Sequence, residues 1–161
     1  MKAVSTIFLV ILTSTIMLAQ TPPGPFLVNA DIDRFIATQS QMTTEFEALE
    51  DSMEDEEDEA ETYEEILASY REALQDNEAI QIIKKYGWDV DTYGEKMMAI
   101  AMGTTYLIAT KQMQEMPAEQ RALMEEMFVK QYKTYIHPDD LKVLKPRLAE
   151  LEEIFQELEE D

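Results

Sequence analysis

Cysteine is absent from this chain of 161 residues, and histidine occurs once, as His137. Without cysteine the chain cannot be a disulfide-stapled scaffold or a lipoprotein, so packing must supply its stability. The single histidine allows only one serine–histidine–acid arrangement. Because His137 directly precedes Pro138 at a predicted helix start, we interpret it as a capping or turn residue. We therefore predict no enzymatic activity and no cofactor.

Basic residues are also few, with 13 Lys and Arg against 34 Asp and Glu and a net charge of −21. Nucleic acids and anionic lipids bind through clustered Lys and Arg, so a chain of this charge repels both. We predict no nucleic-acid partner, whereas cationic partners and divalent cations are electrostatically allowed. The same charge also keeps a protein soluble and monomeric. We expect a monomer or a weak homodimer.

The first residues have the composition of an export signal. Lys2 supplies a positive charge, a largely apolar run covers 7–18, and the small residue Ala19 follows. We predict a signal peptide at 1–19, with the cleavage position open within 19–23. An uncleaved anchor is disfavoured because the run is shorter than the ~20 apolar residues that a span needs. We expect no stable membrane insertion after cleavage, and a periplasmic protein or, as the alternative, a secreted one.

A proline-rich lead and an acidic segment flank the first predicted helix. The lead, 20–28, cannot be helical because of its prolines. The helix begins near Asn29 or Asp31, either of which can cap it. From Phe35 to Met53 an apolar stripe with steps of three and four residues predicts a packing face along this helix. Nine of the twelve residues at 50–61 are carboxylates, which predicts a solvated loop or frayed helix, with a low-affinity calcium or cationic-partner site as the alternative. We assign 29–161 to a single helical domain.

Apolar periodicity predicts helices through the rest of the chain and gives no strand signal. One helix ends at Gly87, which can close it in the left-handed conformation while Trp88 folds back on the last turn. The next helix, from about 90 to 112, contains six apolar residues in succession and is predicted to be central. Gly94 and Gly103 within it predict close approach of a neighbouring helix or room for a ligand.

The C-terminal segment carries a regular apolar seam through charged sequence. Its members step by three and four residues: Leu141, Leu144, Leu148, Leu151, Phe155 and Leu158. Pro146 interrupts the seam, so either one helix is kinked there or a new helix opens after a turn that begins at Pro138. The seam serves the bundle or a dimer. Taken together, the patterns predict an all-α, single-domain bundle of five or six helices with an acidic loop.

Methionine is the most distinctive apolar residue type. Seven of the eleven lie close together in sequence: Met97, Met98, Met102, Met113, Met116, Met124 and Met127. Core filling is the simplest interpretation, but methionine also lines pliable grooves for apolar partners. We predict a groove lined by Trp88, Tyr93, Met98, Met102, Met124 and Met127. The alternative is a Cu(I) or Ag(I) site at the Met-x-x-Met pairs 113–116 and 124–127, because thioether sulfur suits those ions.

Two resemblances add to this reading. The stretch Asp33-Arg34-Phe35-Ile36-Ala37, the acidic middle, and 77–93 with Tyr86-Gly87-Trp88 resemble a group of small exported helical proteins of proteobacteria, which implies export and helices but no site. The stretch Met116-Pro117-Ala118-Glu119-Gln120-Arg121 is similar to the Leu-Thr-x-x-Gln helix start of periplasmic stress chaperones, with Met and Pro in place of Leu and Thr.

We therefore expect an exported, soluble helical protein that works by binding, with chaperone-like capture of an apolar ligand or protein segment. Binding of Cu(I) or Ag(I) through methionine pairs is the alternative function. An enzyme of unknown class is the third.

Overall fold

The computed structural model describes residues 24–50, 77–125, 132 and 135–160. Within them the chain forms an all-α, single-domain bundle, as the sequence predicts. Its elements are α1 (Asn29–Glu50), α2 (Asn77–Lys85), α3 (Val90–Gln114), α4 (Ala118–Met124), α5 (Pro138–Leu144), a 3-10 turn (Lys145–Arg147) and α6 (Leu148–Glu160). The predicted signal peptide, and all but the first residue of the acidic segment 50–61, lie outside the described residues.

Helix α1 begins at Asn29, where the sequence predicts it, and presents the expected packing face. Phe35 and Met42 are buried in the bundle, and Phe46 packs against them from a partly buried position. The ring of Phe35 stacks on Phe155 of α6, with 6.0 Å between ring centroids. The apolar stripe of α1 therefore joins the first described helix to the last.

The turn from α2 to α3 confirms the prediction made for Gly87 and Trp88. Gly87 has a φ of 77°, and its N–H donates to the carbonyl of Lys84 at 3.0 Å. The N–H of Trp88 donates to the carbonyl of Ile83 at 3.1 Å, which completes a Schellman closure. Trp88 is buried. This closure turns the chain so that α3 can pack across α2.

Two prolines shape the C-terminal elements. Pro138 occupies the first turn of α5, and the Nδ1 atom of His137 accepts the N–H of Asp139 at 3.2 Å, so His137 is the capping residue that the sequence predicts. Pro146 lies in the 3-10 turn between α5 and α6. The apolar seam is thereby divided between two helices, and Leu144 and Leu151 both reach the core.

Helix α3 is central: α2, α4, α5 and α6 all pack against it. It packs tightly against α5 at Gly103, where a Cβ atom would overlap the fully buried side chain of Leu144. The prediction of close packing at Gly103 is confirmed, because only glycine leaves room for that side chain. None of the described helices is both long enough and apolar enough to cross a bilayer.

Candidate functional site

The six residues predicted to line one groove have different surroundings. Trp88 and Tyr93 contact each other edge to face, at 5.9 Å between ring centroids, inside a large apolar cluster that we call the main core. Its buried members are Leu27, Ile32, Phe35, Met42, Ile82, Ile83, Trp88, Tyr93, Met97, Ile100, Leu144 and Leu151. Met98 and Met102 belong to a second cluster, Met124 is half-buried on α4, and Met127 lies outside the described residues.

The second cluster, which we call the Met98 cluster, is distinct from the main core and shares helix α3 with it. Its buried members are Met98, Met102, Tyr132 and Ile136, with Tyr106, Tyr135 and Leu141 partly buried around them. Two methionines one helical turn apart on α3 thus meet residues of the chain that leads into α5. Burial raises the pKa of the Tyr132 phenol, so this hydroxyl stays neutral over the usual range of pH.

The two clusters separate at a pair of adjacent residues. Met97 is 6% exposed and belongs to the main core, whereas Met98 is 5% exposed and belongs to the Met98 cluster. Successive helical residues point about 100° apart, so one helix can serve two apolar surroundings. The run of six apolar residues in α3 conceals this division in the sequence, because every position in it reads as buried.

The methionine pairs proposed as metal ligands are partly described. Met113 is buried at the end of α3, and Met116 is half-buried in the turn that follows. The guanidinium of Arg121 donates to the carbonyls of Met113, Gln114 and Met116 at 3.1 Å, which fixes that turn. Over the part of the chain that the structure describes, no three His, Asp or Glu side chains gather into a group that could hold a metal ion.

Sequence reasoning missed a site at the start of α5. The carboxylate of Asp140 is 1% exposed and accepts the main-chain N–H groups of Phe26 at 3.0 Å and of Leu27 at 2.9 Å, from the other end of the chain. We call residues 24–28 the strap. Burial raises the pKa of Asp140, and the N–H groups of Leu27 and Phe26 partly offset that rise.

The strap also contacts a second buried carboxylate, that of Asp31 in the first turn of α1. Asp31 accepts the N–H of Val28 at 2.9 Å and forms an ion pair with Lys96 of α3 at 2.7 Å. Arg34 lies 3.7 Å from the same carboxylate and 5.0 Å above the ring of Trp88. Asp31 therefore has cations as partners, whereas Asp140 is satisfied by main-chain N–H groups.

Three buried side-chain polar atoms have no hydrogen-bond partner among the described residues. They are Oε1 of Gln39 on α1, the indole Nε1 of Trp88 and the hydroxyl of Thr104 on α3. Thr104 is fully buried, so its hydroxyl is removed from water without an acceptor in the part of the chain that the structure describes. A buried hydroxyl without a partner lowers stability.

No family model matches the chain, and no curated protein or solved structure is significantly similar to it. A function must therefore be argued from the two clusters and from the strap contact alone.

Proposed function

We propose that this chain is an exported, non-catalytic helical protein that binds an apolar ligand or an apolar segment of another protein at the Met98 cluster. The supporting observation is the position of this cluster outside the main core. The helices are held together by the main core, which joins α1, α2, α3, α5 and α6. An apolar site beside it can exchange its contacts with a ligand while the bundle stays folded.

The residue types of the Met98 cluster support the same proposal. Met98 and Met102 have unbranched side chains with three rotatable bonds, so they can adapt to ligands of different shape. Tyr132 and Tyr135 combine an apolar ring with a polar tip. Tyr132 and Ile136 are not members of the main core, so an incoming apolar group can replace their contacts while α3 keeps its contacts with the main core.

A matched pair of variants tests this proposal. Met98→Ala removes one wall of the Met98 cluster, and Met97→Ala removes the same side chain from the main core at nearly equal burial. We expect the wild-type protein to slow the aggregation of a chemically unfolded client, followed by light scattering. Because a buried methionine contributes a few kcal/mol of apolar contact, Met98→Ala should raise the concentration needed for half-protection about tenfold.

Met97→Ala is the control for stability. It should lower the midpoint of urea unfolding about as much as Met98→Ala does, and leave client protection within about twofold of wild type. Met98→Leu should restore most of the protection, because it keeps the apolar volume. Equal loss of protection in the two alanine variants would place binding outside the Met98 cluster, and no protection by the wild type would reject a chaperone-like function.

Soft-metal binding is the second candidate, and the spacing of Met98 and Met102 within one cluster favours it. Two thioethers one helical turn apart can both reach one Cu(I) ion. An anaerobic Cu(I) titration should then saturate at a fixed ratio in the wild type and lose that saturation in Met102→Leu. A titration without a break point would remove this candidate and leave apolar binding.

A further inference from the structure

The strap, residues 24–28, is held mainly through its main chain. Oδ1 of Asp140 accepts the N–H of Leu27 at 2.9 Å and the N–H of Phe26 at 3.0 Å, and Oδ2 lies 3.3 Å from the Phe26 nitrogen. Main-chain N–H groups are present in every polypeptide, so this contact does not select a particular amino-acid sequence. Hydrogen bonds to an ionised carboxylate are stronger than those between neutral groups.

Among the side chains of the strap, that of Leu27 is buried as an apolar anchor and that of Val28 is exposed to solvent. Leu27 is 4% exposed and belongs to the main core, and Phe26 packs against that core from a half-buried position. Val28 is 59% exposed. The strap thus directs the side chain of Leu27 and the N–H groups of both Phe26 and Leu27 toward the bundle.

A buried carboxylate that has no hydrogen-bond donors lowers the stability of the folded protein. Asp140 has no Lys or Arg partner among the described residues, and the charged groups acting on it are His137 and Asp139 of its own helix turn. On α1, the carboxylate of Asp31 accepts the N–H of Val28 in the strap and is paired with Lys96 of α3. Whatever chain covers Asp140 must therefore supply hydrogen-bond donors to it, as the main chain of the strap does.

From this geometry we propose that the cleft at Asp140 is a peptide-binding site that the chain's own strap occupies. Its ligand is an extended segment of another polypeptide, with two successive main-chain N–H groups directed at Asp140 and a large aliphatic side chain in the place of Leu27. This site is separate from the Met98 cluster and its test does not depend on that cluster. The strap acts as the competing intramolecular ligand.

The strap is suited to being displaced. It contributes a single fully buried side chain and is five residues long, so the gain from its contacts is opposed by the ordering of a similar number of residues. Its hydrogen bonds to Asp140 are made by main-chain groups that an external segment offers equally. Val28 and Asp31 exchange two main-chain and side-chain hydrogen bonds at the start of α1, which anchors the strap's far end while residues 24–27 leave.

The test uses the full chain and a synthetic peptide of residues 24–29 with blocked ends and a fluorescent label. Leu27→Ser removes the strap's apolar anchor and leaves the cleft intact, and Val28→Ser is the matched control because Val28 is exposed. By fluorescence anisotropy we expect Leu27→Ser to bind the peptide at least about tenfold more tightly than wild type or Val28→Ser. Adding Asp140→Asn to Leu27→Ser should reduce this gain, because a neutral amide oxygen accepts weaker hydrogen bonds than a carboxylate does.

The peptide itself supplies the sharper control. N-methylation of the amides that correspond to Phe26 and Leu27 removes both donors and leaves every side chain in place, so binding to Leu27→Ser should fall at least about tenfold. If the methylated and unmethylated peptides bind equally, or if neither binds, the proposal is wrong. A Leu27→Ser protein that forms strap-exchanged dimers and ignores the peptide would also overturn it, in favour of a second copy as the occupant.

A second measurement covers the case in which Leu27→Ser fails to fold. Hydrogen exchange of the wild-type protein is followed with and without a saturating concentration of the unlabelled peptide. We expect faster exchange at the amides of Phe26 and Leu27 when the peptide is present, with the exchange of α3 unchanged. Exchange at these two amides that does not respond to the peptide would overturn the proposal.

Discussion

The main core and the Met98 cluster share helix α3 but are closed by different parts of the chain. The main core is closed by α1, α2, α5 and α6, whose contacts are between helices distant in sequence. The Met98 cluster is closed by Tyr132 and Ile136, which precede α5, and by Leu141 at its first turn. Met97 of the main core and Met98 are buried to nearly the same degree, so burial alone does not distinguish a residue that holds the fold from one that is available for exchange.

This difference between the main core and the Met98 cluster predicts that an isoleucine-to-alanine substitution destabilises the protein more in the main core than in the Met98 cluster. Ile100→Ala empties a fully buried position of the main core, where α3 meets other helices and the space cannot collapse. We expect it to lower the free energy of unfolding by about 4 kcal/mol, near the upper end for such deletions. Ile136→Ala deletes the same side chain from the Met98 cluster, which among the described residues has far fewer buried members than the main core, so its cost should be about 2 kcal/mol.

Urea unfolding of the two alanine variants, followed by far-ultraviolet circular dichroism, measures both costs. Similar slopes against urea concentration are needed for the comparison, because a changed slope would indicate a changed unfolded or native state. Equal losses would mean that the Met98 cluster supports the fold as strongly as the main core does, and the proposed exchange of its contacts would then be too costly.

Gly103 is the position at which the two regions meet. A Cβ atom there would overlap the side chain of Leu144, in the main core, and lie 3.8 Å from Leu141, beside the Met98 cluster. We expect Gly103→Ala to cost about 1–2 kcal/mol, because overpacking outweighs the gain of roughly 1 kcal/mol in helix propensity. In a Leu144→Ala background the same change should be neutral or stabilising. A double-mutant cycle by urea unfolding measures this coupling.

If the losses of unfolding free energy from Gly103→Ala and Leu144→Ala are additive, α3 and α5 separate to accept the methyl group. That result would contradict the tight packing of Gly103 against Leu144. The cycle also sharpens the comparison of the two clusters. If Gly103→Ala weakens client protection more than its loss of stability explains, the spacing of α3 and α5 also sets the shape of the Met98 cluster.

Much of the fold follows from local sequence, whereas the sites do not. The stripe of α1, the closure at Gly87 and the cap at His137 each depend on residues within a few positions of one another, and all three are confirmed. The contact of Asp140 with Leu27 joins residues 113 apart, and an aspartate in the first turn of a helix is already explained by capping and the helix dipole. One acidic residue is enough to stabilise the start of a helix. The second acidic residue of the pair Asp139-Asp140 is therefore the one sign in the sequence of an additional role.

The division of the predicted groove has a similar cause. A periodic pattern tells which face of α3 is buried, but it does not tell which neighbour covers that face. With apolar residues at six successive positions, Met97 and Met98 are indistinguishable until the helices around them are known. Whether Met124 and Met127 join the Met98 cluster stays a prediction, because Met127 lies outside the described residues.

A smaller effect separates two threonines of α3. Thr104 is fully buried and its hydroxyl has no acceptor among the described residues, whereas the hydroxyl of Thr110 donates to the carbonyl of Tyr106 at 2.7 Å. Thr104→Val should raise the free energy of unfolding by about 1 kcal/mol, because it removes an unsatisfied polar group at nearly constant volume. Thr110→Val should be neutral or destabilising. A destabilising Thr104→Val, measured by urea unfolding, would show that the hydroxyl has a partner.

The smallest expected effect is a change of stability with pH at Asp140. Asp31 is held by an ion pair with Lys96, whereas Asp140 bonds, among the described residues, only main-chain N–H groups of the strap that another chain could replace. Because burial raises the pKa of Asp140 above its usual 3.8, the native state binds this proton more tightly than the unfolded state does. The stability linked to Asp140 is therefore fully present below the unfolded pKa and is lost as pH rises through the native pKa.

As the pH falls from about 7 to about 3.5, the wild type should gain stability relative to Asp140→Asn, which cannot titrate. Urea unfolding of both proteins across that range measures the difference. A difference that stays constant, or that changes in the opposite direction, would mean that the N–H groups of the strap outweigh burial, and that the strap binds Asp140 too strongly to be displaced readily.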